Sequence, residues 1–403
     1  MNNHISIGVV KETKNPPDRR VAVTPEEGKN ILKLFPHVSL YIQSSSNRCF
    51  SDDEYRVHGL NVVDSLDNCD ILIGVKEVAI DKLISNKTYM FFSHTAKQQP
   101  YNKKLLKEIL KKNITLIDYE QLTNNSKMRL IAFSRWAGII GCYNGLKALG
   151  EKNNLFQLKP ASQLKHIHEM FDELNTAKEM LPIKILITGH GRAGTGAAEI
   201  LNYLEIPEVK PKDFLNKSYD HAVFTILDPH DYVEQVNEKE FTLQHFFNNP
   251  TMYKSKFTPY TKVTDFLIAC HFWDPQSPLL MTREEMQAND FSISTIADIS
   301  CDINGAIPST IRPTTIEEPI YGYNPFTGKE TAPYAESSIT VMAVDNLPGE
   351  LPRDTSSDFS KSLIEKILPE LLVKDEHEVI KRATIASNGK LTKKYSYLKD
   401  YTS

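Results

Sequence analysis

The segment "IKILITGHGRAGTGAAEILNYL", residues 183 to 204, restricts the fold more than any other stretch of the chain. An apolar strand pattern runs into Gly189-x-Gly191-x-x-Gly194, with Gly196 two residues on, and then into an amphipathic helix pattern. A strand that turns tightly into a helix belongs to a crossover unit, so the segment predicts an α/β fold with a parallel sheet. In that setting the first glycine permits the turn. The second lets backbone amides approach a pyrophosphate, and the third lets helix and strand pack closely. The phosphates would sit at the positive end of the helix, which makes Gly189, Gly191, Arg192, Ala193 and Gly194 candidate cofactor contacts. The bland alternative is a glycine-lined structural turn.

An acidic residue at the end of the next strand ordinarily meets the adenosine ribose. Asp228, closing "AVFTILD", is the candidate, and it favours NAD. A second strand nearer Val209 would instead bring Lys210 and Lys212 to that position and favour NADP. Asp298, in "TIADIS", is a further candidate on the cofactor side.

At 403 residues the chain is too long for one simple core, and two domains are expected. In the first third, "ISIGVV" (5 to 10), "VSLYIQ" (38 to 43), "DILIGV" (70 to 75), "TYMFFS" (88 to 93) and "ITLID" (114 to 118) read as buried strands. "PEEGKNILKLF" and "NKKLLKEILKK" between them have helical spacing, so this part is a second parallel α/β unit. "AGIIGCYNGLKALGEKN" reads as a helix leaving it. "HAVFTIL" (221 to 227), "DFLIAC" (265 to 270) and "TIADIS" (295 to 300) read as strands. "SSITVMAVDNLPGELP" suggests a helix stopped by Pro348, and "FSKSLIEKILPELLVKDEHEVIKRATI" is helical in pattern.

A net charge of −4 leaves no electrostatic footprint for nucleic acid or an anionic membrane. A small anionic substrate therefore needs a local cationic pocket. Five cysteines without CxxC spacing argue against a disulfide framework or a zinc knuckle, and no metal site is expected. "MNNHISIGVV" does not have the form of a secretory signal, and no apolar run approaches membrane-span length, so a cytoplasmic location is expected.

"DILIGVKE" and "TYMFFSHT" both end an apolar run on a proton-carrying side chain, Lys76 and His94. Ligands gather outside the carboxyl ends of parallel strands, where side chains distant in sequence face one crevice. A lysine of depressed pKa and a histidine make an acid–base pair there, with Glu77 and Glu120 placed to tune or orient them. The bland reading is a solvated charge at each strand end. Arg20, in "DRRVAVTP", and Arg129, in "KMRLIAFSRWAG", are candidate carboxylate clamps because a guanidinium binds a carboxylate through two parallel bonds. Arg19 and Arg135 compete for that role. His166 and His168 lie in a polar region and read as solvated surface. No HExxH, GxSxG or GxxxxGK[ST] pattern is present.

With "KTYMFFSHTAKQQ", "LIDYEQL", "IAFSRWAG", "FTPYTKVTDFLIACHFWD", "ADISCDINGAI" and "VDNLPGELPRD", the chain resembles the alanine dehydrogenase and pyridine nucleotide transhydrogenase superfamily. Within it the chain is most similar to the lysine-forming saccharopine dehydrogenases and to the lysine–ketoglutarate reductase domain of aminoadipic semialdehyde synthases. The resemblance covers nearly the whole chain. It implies two Rossmann-like domains with parallel sheets flanking a central cleft: a substrate domain of residues 1–136 plus 348–403, and a dinucleotide-binding domain of residues 137–347. It implies acid–base roles for Lys76 and His94 and substrate carboxylates facing Arg20 and Arg129. Glu77, Glu120 and Asp345 correspond to acidic positions around that site. The implied reaction is the pyridine-nucleotide-dependent condensation of L-lysine with 2-oxoglutarate to saccharopine, or its reverse. The rivals are an amino-acid dehydrogenase using ammonia and a transhydrogenase-type nucleotide-binding subunit. Asp228 stands where animal reductase domains carry a basic residue, which leaves NAD against NADP open. The resemblance does not extend to a saccharopine-cleaving domain, so that step is expected from a separate glutamate-forming saccharopine dehydrogenase. Oligomeric state is left open.

Overall fold

The computed structural model describes residues 4–15, 18–178, 181–237 and 239–402. The chain divides into two units, Met1–Phe133 with Pro352–Ser403, and Ser134–Leu351.

The first unit is built on an eight-stranded sheet. Its parallel strands are β1 (Ile5–Val9), β2 (Val38–Gln43), β3 (Asn61–Val63), β4 (Ile71–Ile73), β5 (Thr88–Phe91) and β6 (Thr115–Asp118). They lie in the order β3-β2-β1-β4-β5-β6, and the direction of winding reverses between β1 and β4. That order is the doubly wound one, whose reversal point is where ligands bind. Helices Pro25–Leu34 and Lys103–Lys111 form where apolar residues were spaced for them. The first is started by Thr24, whose hydroxyl accepts from the Glu27 amide at 3.3 Å, and by Pro25 in its first turn.

The second unit contains a seven-stranded sheet. β7 (Lys184–Thr188) pairs in parallel with β8 (Val223–Leu227) on one side and with Phe266–Ala269 on the other. Thr295–Asp298 and Ile339–Met342 continue the parallel run, and Ile320–Asn324 and Lys329–Thr331 close it antiparallel. The nineteen-residue helix Ser134–Lys152 packs on this sheet, buried on nearly all sides, as its even apolar distribution requires.

Two of the expected elements differ. "SSITVMAVDNLP" is not a helix: Ile339–Met342 is a fully buried strand, and Pro348 sits in a single tight turn, Leu347–Gly349. A short apolar run carries no period of its own, and three β-branched residues in sequence favour the extended form. The tail is helical over Pro352–Lys366, Leu368–Leu372 and Val379–Ala383. It then turns back as strand Thr384–Ser387 on β6. Asn388 and Gly389, both at positive φ (47° and 71°), make the hairpin that pairs Thr384–Ser387 with Lys390–Leu391. Among the described residues no helix is long and apolar enough to cross a membrane.

Candidate active site

The carboxyl ends of β1, β4, β5 and β6 carry the predicted residues of the first unit. Pairing of β4 with β5 runs past the strands themselves: Gly74 N donates to Met90 O and Phe92 N donates to Val75 O, both at 3.0 Å. Lys76 is therefore one residue, and His94 two residues, beyond a bond that joins their chains. The expected proximity of the two strand ends is met in the backbone.

Burial lowers the pKa of the Lys76 ammonium, and the positive charges of Arg20 and Lys14 lower it further against the opposing pull of Asp18 and Glu77. Glu77 is held by Lys14, Nζ to Oε1 at 3.2 Å. Its Oε2 is buried without a hydrogen-bond partner among the described residues.

Arg20 is placed beside Lys76 but is already engaged. Its Nε donates to Asp18 Oδ1 at 3.0 Å and its Nη2 to Asp18 Oδ2 at 2.6 Å, with both residues buried. Burial opposes ionisation of Asp18, yet the Arg20 charge and its hydrogen bonds hold that carboxyl well below the usual range. The guanidinium also lies 4.3 Å over the Phe133 ring, which stacks on Phe359 at 4.6 Å. Helix Pro352–Lys366 fixes the following segment through serine hydroxyls. Val21 N donates to Ser356 Oγ at 2.9 Å, and Ser360 Oγ donates to Ala22 O at 2.9 Å. A packing face with small polar residues thus carries the "RVAVTP" stretch.

His94 has φ of +53°, a left-handed conformation uncommon for a residue other than glycine, and its surroundings hold it there. Four buried groups do so. Ser93 Oγ donates to Asp118 Oδ2 and is bonded to Thr95 Oγ1 at 2.8 Å, and Asn102 Nδ2 donates to Ser93 O at 2.9 Å. Asp118 also receives Glu120 N at 2.7 Å, and burial, with the Glu120 charge, pushes its carboxyl up to about 6. The imidazole stacks on Phe92 at 6.3 Å, and its Nδ1 lies 3.4 Å from Glu120 Oε2.

Glu120 is the centre of this second cluster. Its Oε1 accepts from Lys97 Nζ at 3.0 Å and from Arg129 Nη2 at 2.9 Å. Burial alone would raise its pKa. The His94 ring and the two cations outweigh that and bring the carboxyl down to about 2. Arg129 is exposed, and the structure shows it paired with Glu120. Lys97, Asp18, Ser93, Thr95, Asn102 and Asp118 were not among the predicted residues. The serine and threonine flanking His94 were the available signal, since both are turn formers.

Asp345 is exposed and belongs to the second unit, following Ile339–Met342. There the glycine turn has the predicted form. Gly189 has φ of +88° and its amide donates to Leu227 O at 2.8 Å, joining the turn to the end of β8. Gly191 caps helix Arg192–Tyr203 with no side-chain hydrogen bond, and a Cβ there would meet nothing within 4 Å. A Cβ at Gly194 would lie 1.9 Å from Gly189 O. Open space over uncapped helix amides, behind a turn too tight for a side chain, fits a pyrophosphate. Asp228 follows β8 directly, beside this turn, with His190 Nδ1 at 3.1 Å from its Oδ1. Lys210 and Lys212 follow a segment that bonds to Phe224, near the amino end of β8 and away from the glycines. Asp298 is buried, and its oxygens accept from Ser300 Oγ and Thr310 Oγ1, each at 2.6 Å, so it organises the loop after its strand. Arg135 pairs with Glu199 through Nε at 2.7 Å and lies on the helix that packs against the glycine turn's helix.

Comparison with known proteins gives the fold and the family. The fold matches an L-alanine dehydrogenase structure with a TM-score of 0.67 at 16% identity, covering 98% of this chain and 99% of that one. It matches a transhydrogenase from Sinorhizobium meliloti with a TM-score of 0.59 at 15% identity, covering 96% and 98%. Mitochondrial alpha-aminoadipic semialdehyde synthase of Mus musculus is 30% identical over 96% of this chain and 47% of its own length. The chain therefore spans about half the length of that relative. Saccharopine dehydrogenase (NAD(+), L-lysine-forming) of Emericella nidulans is 25% identical over 94% of this chain and 96% of its own. Residues 8–140 match the family model for the alanine dehydrogenase/PNT N-terminal domain. Residues 161–394, more than half of the chain, match that for the C-terminal domain, and the protein belongs to the alanine dehydrogenase/PNT family.

Proposed function

We propose that the protein is a pyridine-nucleotide-dependent oxidoreductase that condenses L-lysine with 2-oxoglutarate to saccharopine, or runs the reverse reaction. The observation that carries the reading is the pair of proton carriers, Lys76 of lowered pKa and His94 against Glu120, on adjoining strand ends. The match to the Emericella nidulans enzyme over nearly all of both chains supports the choice of substrates.

The reaction needs two proton movements on the substrates. The attacking amine must be neutral, so a base takes its proton; the carbinolamine loses its hydroxyl only if an acid protonates it. Lys76 and His94 between them hold and return these protons. A lysine whose ammonium is destabilised gives up its proton more readily than a solvated one. Arg20, fixed on Asp18 and Phe133, and Arg129, at the surface of the Glu120 cluster, bind the substrate carboxylates. Holding two substrates in register lowers the barrier by about 7–11 kcal/mol in favourable cases. A nicotinamide nucleotide, when bound, supplies or accepts the hydride at the imine carbon. Gly189, Gly191, Arg192, Ala193 and Gly194 hold its pyrophosphate, and Asp228 meets its adenosine ribose, which favours NAD.

The test is a steady-state assay offering 2-oxoglutarate with lysine against pyruvate with ammonia, each with NADH and with NADPH. Turnover on the first pair supports the reading, and turnover confined to the second refutes it. Lys76→Met and His94→Gln each lower kcat by orders of magnitude with nucleotide binding unchanged. Wild-type turnover in both would remove them from these roles.

A further inference from the structure

Three consecutive residues after β1 take hold of the loop that carries Lys76. Glu12 accepts Val75 N at Oε1 (2.7 Å) and Lys76 N at Oε2 (2.9 Å). Thr13 Oγ1 accepts Ala79 N at 2.8 Å, and Lys14 Nζ reaches Glu77 Oε1 at 3.2 Å. β1 and β4 meet at the reversal point of the sheet, and "ETK" spans the gap there.

Glu12 carries most of this constraint. Two adjacent amides pointing the same way need two acceptor oxygens side by side, which a carboxyl group offers; glutamine presents one acceptor and one donor. The position is costly. Burial pushes the Glu12 carboxyl up to about 8 against the pull of the two amides, with Asp18 adding to the push and Arg20 opposing it. The Tyr119 hydroxyl, in the turn after β6 and buried without a hydrogen-bond partner among the described residues, feels the same charge. A carboxyl kept in so unfavourable a place, and spent on the two amides beside a proton-carrying lysine, is there for those amides.

We propose that Glu12 is a positioning residue for Lys76: by receiving the Val75 and Lys76 amides it fixes the turn from which the lysine projects. The inference rests on Lys76 being a proton carrier, as proposed above. The groups facing Lys76 are Lys14, Asp18 and Arg20 from the segment after β1 and Glu77 from its own loop. Loosening the turn lets the ammonium leave these neighbours for water.

The experiment compares wild type, Glu12→Gln and Glu12→Asp, the last keeping a carboxylate one carbon too short for both amides. Competitive acetylation across pH, read by mass spectrometry on the Lys76 peptide, gives the lysine's titration midpoint without any turnover. Steady-state kinetics on lysine and 2-oxoglutarate gives kcat and the KM for nucleotide. The expected result in either variant that folds is a kcat about 100-fold lower, an unchanged nucleotide KM, and a Lys76 midpoint raised by about one pH unit. A wild-type kcat and midpoint would overturn the proposal. So would a lowered kcat with the midpoint unmoved, because Glu12 would then act elsewhere. If the wild type does not turn over these substrates, the reaction assignment fails while the acetylation midpoint still decides the role of Glu12.

Discussion

The Asp18–Arg20 pair allows a quantitative prediction, because its two side chains are 2% and 3% exposed and joined by two parallel bonds. Removing one partner of a buried pair leaves an uncompensated charge and costs about 3–5 kcal/mol, whereas replacing both by apolar groups of similar volume is often close to neutral. Asp18→Asn keeps a single carbonyl acceptor for the Arg20 fork, so the expected loss is at the lower end, about 3 kcal/mol. Arg20→Met strands the carboxylate and is expected to cost about as much. Asp18→Leu with Arg20→Met should recover most of either loss. The readout must be local. Both tryptophans, Trp136 and Trp273, belong to the second unit, so their fluorescence along a urea titration is the control. Pulsed hydrogen exchange in peptides covering β2 and β6 reports the first unit.

The pH dependence has a definite sign. A carboxyl whose folded pKa is depressed contributes stability that is full above its unfolded value, about 4 for aspartate, and is lost as pH falls through the folded one. Asp18→Asn should therefore flatten the acid limb of the first unit's stability curve below about pH 4. The reasoning is refuted if Asp18→Asn costs less than about 1 kcal/mol, or if the double variant loses as much as the two single ones together.

Gly194→Ala places a methyl carbon 1.9 Å from Gly189 O, so the turn must open. NADH affinity by fluorescence titration should fall at least ~10-fold, the outcome of misplacing the amides over the helix terminus. Glu350, buried in the second unit and bonded by Asn144 Nδ2 at 2.8 Å, is pushed by burial up to about 8. Between the ordinary glutamate value and about 8 the folded chain holds a proton that the unfolded chain releases, so this group lowers stability as pH rises through that window. Glu350→Gln should remove a slope of about 1.4 kcal/mol per pH unit from the tryptophan-reported transition.

Strand positions were legible in the sequence where short apolar or alternating runs stood between polar stretches, and β2, whose burial alternates, matches its predicted span to the residue. The glycine turn was legible because its spacing answers a steric demand, seen in the 1.9 Å approach at Gly194. Ile339–Met342 was not, since a four-residue apolar run has no period to distinguish strand from helix. The hairpin at Asn388–Gly389 did carry a signal, an Asn-Gly pair between β-branched and apolar residues. A helical pattern upstream overran it.

The candidate site shows the same limit in another form. Lys76 and His94 could be paired from sequence because β4 and β5 are neighbours both along the chain and in the sheet. What surrounds Lys76 could not. Glu12, Asp18 and Arg20 follow β1, more than fifty residues upstream, and reach β4 only because winding reverses between these two strands. Arg20 is then seated on Phe133, which stacks on Phe359, and the segment after it is held by Ser356 and Ser360; Phe359 and both serines come from a helix near the other end of the chain. Strand ends and turn formers are local properties, and a sequence displays them. The field that lowers the pKa of Lys76 is made by burial, Arg20 and Lys14 together. It exists only once the sheet has closed β1 against β4, which is why the proton carriers, with Glu77 and Glu120 beside their strand ends, were readable and the action of Lys14 and Asp18 on Lys76 was not.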